Sequence, residues 1–155
     1  MPTVWRLVKT RYSRQAFDGE GARLHGGRWS SPGTVVAYGS ESAALAVLEV
    51  LVHVQGAATL RSFSLASAEV PDKLVEVLDP KLLPGSWKRS PPPVECQAIG
   101  DAWVRAGSSA VLRVPSVILD GSFNYLLNPA HPAFAAIALR PSRPFDFDQR
   151  LARQP

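Results

Sequence analysis

The stretch TVVAYGSESAALAVLEVLVHV, Thr34–Val54, carries the fold assignment. Its first five residues, Thr34–Tyr38, are β-branched and aromatic and predict a strand. Ser40 is of the N-capping type. From about Glu41 to Val54 the alanines and leucines predict a helix, with Glu41 at its positive end. Working outward, Val4, Trp5, Leu7 and Val8 predict a short strand over Thr3–Val8. Between the two lies Lys9–Pro32, a long polar stretch with Gly19, Gly21, Gly26 and Gly27, which reads as a functional loop. Downstream, Thr59–Leu65 alternates apolar and polar residues and Leu74–Leu78 is a further strand candidate. Lys81–Pro93 is a proline-punctuated loop around Trp87. Val94–Ala106 predicts an amphipathic helix with Ile99, Ala102, Trp103 and Ala106 on one face, stopped by Gly107. Strand material at Ala110–Val114 and Ser116–Leu119 is broken at Pro115. Ala135–Leu139 and Pro144–Phe147 read as closing strands near an edge, given the RPSRP segment between them. Strands and helices mix without a regular βαβ rhythm, so the expectation is a single α+β domain over residues 1–155. A short basic tail occupies about 148–155.

Composition narrows the function classes. With 155 residues, 46% hydrophobic and 19% charged, the chain has material for one core, which excludes wholesale disorder. Fourteen prolines and eleven glycines disfavour a helical bundle. A net charge of +4 and a pI of 9.6 suit an anionic partner without naming it. The single cysteine, Cys96, excludes an internal disulfide and a CxxC metal site. The N-terminus lacks the apolar core of a signal peptide, and no apolar run approaches a membrane span. The expectation is a cytoplasmic protein with no membrane contact.

Three positions stand out chemically. Glu49 is embedded among Leu45, Ala46, Val47, Leu48, Val50, Leu51 and Val52. Either it is buried and met by donors or a cation, or it lies on a narrow exposed stripe with Leu45 and His53. Arg28 follows Gly26-Gly27, where the backbone can approach a ligand closely and the guanidinium can grip a phosphate or carboxylate; the alternative is a tight turn with a solvated arginine. The segment has neither the P-loop ending nor GxGxxG, and Gly19-x-Gly21 has no predicted helix behind it. Ser116, after Pro115, can be held in a fixed pose between strands or be an ordinary turn serine; it lacks the GxSxG context of a nucleophile elbow. His25, His53 and His131 show no metal-ligand spacing, so no metal site is expected, and His131 reads as a loop organiser. The four tryptophans are too scattered for base stacking and read as core. Arg140, Arg143, Arg150 and Arg153 give a basic C-terminal end.

Taken in order, VWR at Val4–Arg6, FDGEGARLHGGRWSSPG at Phe17–Gly33, VVAYGSESAALAVLEVLVH at Val35–His53, VPSV at Val114–Val117 and NYLLNPAHP at Asn124–Pro132 resemble the RES-domain toxins, named for an Arg, a Glu and a Ser. The chain reads Ser30 where the family usually has Asn, Gly39 where it often has Thr, and Ala43 where it has Leu. The resemblance implies an ADP-ribosyltransferase-like fold with a mixed central sheet flanked by helices. It implies that Arg28, Glu49 and Ser116 are the catalytic residues, and that Arg6, Arg28 and Tyr38 bind the substrate, NAD+. NAD+ is consumed as substrate, and no cofactor is implied. The nicotinamide–ribose bond would be broken by hydrolysis or phosphorolysis, depleting cellular NAD+. The implied partner is a cognate helix-turn-helix antitoxin covering the active site, with DNA reached only through it; a homo-oligomer stays open. The chemistry is physically coherent. Two arginines suit a pyrophosphate, a carboxylate suits an oxocarbenium-like ribose, and a tyrosine ring suits nicotinamide. Two rivals remain: transfer of ADP-ribose to a protein through the same site, and a non-enzymatic basic module that binds nucleic acid or a partner.

Overall fold

A computed structural model describes residues 1–54 and 60–152. Seven strands form one mixed sheet in the order β4-β5-β6-β2-β1-β3-β7. They are β1 (Thr3–Lys9), β2 (Ala37–Ser40), β3 (Phe63–Glu69), β4 (Val75–Val77), β5 (Val111–Pro115), β6 (Phe123–Leu127) and β7 (Ala138–Phe145). Only β4 and β5 run parallel; the other pairs are antiparallel. The α+β expectation therefore holds. β1 pairs with β3 along its whole length, from Thr3↔Glu69 to Lys9↔Phe63, but meets β2 only at Trp5↔Ser40. The sheet is thus two halves, β4-β5-β6-β2 and β1-β3-β7, joined at one residue pair.

Among the described residues three α-helices accompany the sheet: α1 (Glu20–His25), α2 (Ala43–Leu51) and α3 (Val94–Ala106). Ala43, Val47 and Val50 of α2 pack on Trp5, Leu7, Phe63 and Leu65. Cys96, Ile99 and Trp103 of α3 pack with Tyr38, Leu112, Val114 and Leu126. By strand alternation these residues share one side of the sheet. The opposite side buries Val4, Val8, Phe17, Ala37, Val111, Tyr125 and Leu127. Trp29 and Trp103 are buried as expected, while Trp5 and Trp87 are partly covered.

Several local expectations are corrected. The strand expected over Thr34–Tyr38 begins three residues later, at Ala37, and runs to Ser40. Ser40 is consequently a buried strand residue, and Ser42 caps α2 by accepting from the Leu45 amide at 3.1 Å. The helix ends at Leu51. The Thr59–Leu65 strand begins at Phe63, and Thr59 lies outside the described residues, as does Arg153 of the basic tail. The Lys9–Pro32 stretch contains a 3-10 turn and α1, a short helix that Gly19 precedes and that contains Gly21. Ser116–Leu119 is not a strand: the Ser116 hydroxyl accepts from the amides of Ile118 at 3.1 Å and Leu119 at 3.3 Å and turns the chain. The RPSRP segment does not separate two strands but lies within β7. An edge strand tolerates Pro141 and Pro144 because one row of its backbone groups needs no ladder partner. The basic C-terminal end is partly paired, with Arg140 on Glu69 at 2.7 Å and Arg150 on Asp148 at 2.8 Å.

Candidate active site

Glu49 sits two residues before the end of α2, where the helix dipole disfavours a negative charge. Its apolar neighbours do not leave it on the narrow stripe considered above: Leu45 is fully buried, and Glu49 is half-buried. Donors come from the adjacent half-sheet. Asn124 of β6 donates from Nδ2 to Glu49 Oε1 at 2.6 Å, and Ser116, just past β5, donates from Oγ to the same oxygen at 3.3 Å. Because Ser116 Oγ already accepts two amide protons, its own proton is left to point at the carboxylate. Ser116 is itself 2% exposed. Oε2 makes no hydrogen bond to a described residue.

Arg28 occupies the corner of a tight turn closed by Gly27 and Ser30, with Gly27 N donating to Ser30 O at 2.9 Å. Its Nη1 donates to the carbonyls of Trp87 at 2.8 Å and Arg89 at 2.6 Å. The arginine is therefore neither merely solvated nor paired with Glu49, as a carboxylate lying opposite it would require. It clasps the 84–89 loop, and the Trp29 and Trp87 rings pack at 6.1 Å. Tyr38 of β2 supports the turn from beneath. Its hydroxyl accepts from Trp29 N at 3.0 Å and shares a bond with Ser30 Oγ at 2.7 Å. Burial pushes the phenol up to about 12, so it stays neutral. A Cβ at Gly27 would stand 2.6 Å from that hydroxyl, so the glycine here admits Tyr38 rather than a ligand. On the other side α3 anchors the loop. Asp101 accepts from Ser31 N at 3.0 Å and Thr34 Oγ1 at 2.8 Å, and Gln97 donates to Gly27 O at 3.1 Å.

Arg6 lies in the seam between the half-sheets. Beyond Trp5↔Ser40 the strands part, and Arg6 Nη1 donates to Tyr38 O at 2.7 Å in place of a ladder bond. Its Nε is buried and has no partner among the described residues. Burial pulls the guanidinium below its ordinary value, opposed by nearby Asp18, which makes no ion pair with it. A desolvated cation that lacks a full set of partners is suited to a nearby anionic group.

Of the residues expected at the site, Glu49 and Ser116 touch, Arg6 and Tyr38 touch through the Tyr38 carbonyl, and Tyr38 supports the Arg28 turn. Two strands, β2 and β6, tie these clusters together. Sequence reasoning missed Asn124, which lay inside a quoted motif but carried no role, and it missed Asp101 as the anchor of the arginine loop. Among the described residues no group of His, Cys, Asp and Glu is arranged to hold a metal. The arrangement offers one carboxylate oxygen, fixed guanidinium groups and neutral hydroxyls, which suits stabilisation of a positive centre next to an anionic substrate.

A sequence model of the RES domain matches residues 3–148. A protein of Yersinia enterocolitica named Toxin Res is 38% identical over 150 residues, spanning 96% of this chain and 98% of its own. A Sphingobium protein named Prs ADP-ribosylating toxin is 36% identical over 157 residues, spanning 98% of each chain. The M. tuberculosis MbcT–MbcA toxin–antitoxin complex contains a chain that superposes with a TM-score of 0.73 at 25% identity, covering 94% of this chain and 84% of that one.

Proposed function

This chain belongs to the RES domain family, and from that premise we propose that it is the toxin of a toxin–antitoxin pair and cleaves the nicotinamide–ribose bond of NAD+. The observation that carries the reading is Glu49, held through Oε1 by Asn124 and Ser116, with no hydrogen bond to Oε2 among the described residues. Nicotinamide in NAD+ is already a cationic leaving group. The C1′–N bond breaks with its electron pair going to nicotinamide, and the ribose is left oxocarbenium-like. A carboxylate beside the ribose stabilises that charge and can hold the ribose hydroxyls, as in glycoside cleavage. Water or phosphate then attacks C1′. Arg6 and Arg28 serve the pyrophosphate. NAD+ is the substrate and no cofactor is needed. An antitoxin that covers this site would keep the producing cell alive.

The test is incubation of the purified protein with NAD+, following free nicotinamide and ADP-ribose with and without phosphate. Release of nicotinamide is expected; a folded protein that leaves NAD+ intact would overturn the reading. A second reading, transfer of ADP-ribose to a protein, is favoured by the name of the Sphingobium relative. It predicts nicotinamide release only when an acceptor protein is present.

A further inference from the structure

The carboxylate of Glu49 depends on a side chain outside the Arg, Glu and Ser set. Asn124 makes its shortest bond, 2.6 Å against 3.3 Å for Ser116. Asn124 is also anchored from behind. It faces Ser40 across the β2–β6 ladder, and Ser40 Oγ donates to Asn124 Oδ1 at 2.8 Å. Ser40 is 3% exposed, so this bond is sheltered from water.

The chain Ser40–Asn124–Glu49 has only one workable polarity. An ionised carboxylate accepts and cannot donate, so the amide must turn its NH2 to Glu49. Its oxygen then faces Ser40, whose hydroxyl supplies the matching proton. Reversal of the amide would set oxygen against oxygen at the carboxylate. The orientation of Asn124 is therefore fixed by its partners at both ends.

We propose that Asn124 is the positioning residue for Glu49: its Ser40-anchored amide ties down Oε1 and leaves Oε2 to the ligand. The inference rests on Glu49 being the catalytic carboxylate. Helix α2 alone does not hold the side chain, because Glu49 has apolar neighbours along the helix and no ion pair among the described residues. Ser116 contributes a longer bond from the other side. Together the two donors define the direction of the carboxylate plane, and loss of the shorter one lets the carboxylate rotate. Such rotation affects the step in which charge develops on the ribose more than the binding of the pyrophosphate.

Asn124→Asp keeps the shape and the bond to Ser40 but replaces the donor with an acceptor. Asn124→Leu removes both polar ends. If Asn124 only filled space and satisfied Ser40, Asp would be the milder change. The positioning role requires the reverse order: Asp sets a second carboxylate against Glu49, so Asn124→Asp is the more damaging. For both variants kcat should fall by about tenfold or more, with the KM for NAD+ changed by less than about threefold, the pattern of a lost outer-shell contact. Glu49→Gln is measured beside them. If Glu49→Gln turns over normally, the reading of Glu49 fails. If Glu49→Gln is inactive while folded Asn124→Asp turns over like the parent, the positioning role alone is overturned. Should Asn124→Asp fail to fold, Ser40→Ala decides, since it frees the amide from behind. A severalfold fall in kcat at unchanged KM supports the role, and parental kcat overturns it.

Discussion

Glu49 drew notice as a lone carboxylate in an otherwise apolar helix and Ser116 as a serine after a proline, but the residues left each with a bland alternative, and only the resemblance to the RES-domain toxins implied that they act together. Asn124 gave no such signal. An asparagine before a tyrosine reads as loop, and its meaning depends on two partners far away in sequence. Arg28 was legible as a cation beside glycines, but its acceptors, the carbonyls of Trp87 and Arg89, are backbone atoms with no residue-type signature. Three substitutions separate these roles. Glu49→Gln should leave melting near the parent value and lower nicotinamide release by about a hundredfold or more, the scale of losing one electrostatic stabiliser. Arg28→Lys should weaken binding of an uncleavable NAD+ analogue, because a point charge cannot hold two carbonyls and a pyrophosphate in the geometry of a planar fork. Unchanged affinity by calorimetry would remove Arg28 from the ligand site. Tyr38 supplies a pH test. Its phenol lies near 10 in the unfolded chain and is raised to about 12 in the fold. Its contribution is fully present below pH 10 and is lost as pH rises from 10 to 12. Denaturant titrations should show a steeper alkaline loss in the parent than in Tyr38→Phe over that window.

At the scale of elements, β1, β4, β5 and α3 were legible, while α1 and β6 were not. Val94–Ala106 matched in span, and Gly107 ends it with a left-handed φ of 62°; of the expected face Ile99 and Trp103 turn inward together with Cys96 and Gly100, whereas Ala102 and Ala106 are exposed. β6 was missed although it lies within the sheet and supplies Asn124. Five residues of FNYLL show no alternation, since Tyr125, Leu126 and Leu127 are all buried, two against one layer and one against the other. Nor could the α3–loop contact be read in advance, because it depends on the absence of a side chain. A Cβ at Gly100 would stand 1.6 Å from the Trp29 carbonyl oxygen. That contact seats the Arg28 turn on α3 beside the Asp101 anchor. Gly100→Ala should therefore force helix and loop apart and cost about 1–3 kcal/mol, the range for overpacking a close contact. Urea unfolding measures the loss, and nicotinamide release should fall with it because Arg28 moves with the turn. A Gly100→Ala protein with parental stability and turnover would mean the loop is seated by other contacts.

The whole molecule is organised by its seam. Two half-sheets meet at Trp5↔Ser40, and the buried Arg6 fills the gap that follows, with one carbonyl partner and a buried, unpartnered Nε among the described residues. A desolvated cation held this way costs stability, since attraction to a neutral carbonyl does not replace its lost hydration. The fold retains it where an anionic group would restore the balance. The empty protein should accordingly be less stable than its complex by an amount that depends on Arg6. At about a hundred times its Kd, an uncleavable NAD+ analogue stabilises by about 2.7 kcal/mol. For a domain of this size that corresponds to a melting shift of about 5–10 °C. Arg6→Met keeps the length of the side chain and removes the buried charge. It leaves the Tyr38 carbonyl without its donor, so the two effects oppose each other, and the empty variant should melt within a few degrees of the parent. Its shift with the same analogue concentration should nearly vanish, because the buried charge that favours an anion is gone. Inorganic pyrophosphate should reproduce part of the parental shift and none in the variant, which separates the anion from the rest of the nucleotide. An Arg6→Met protein that still gains the full parental shift would show that the seam arginine holds the two half-sheets together without taking part in binding.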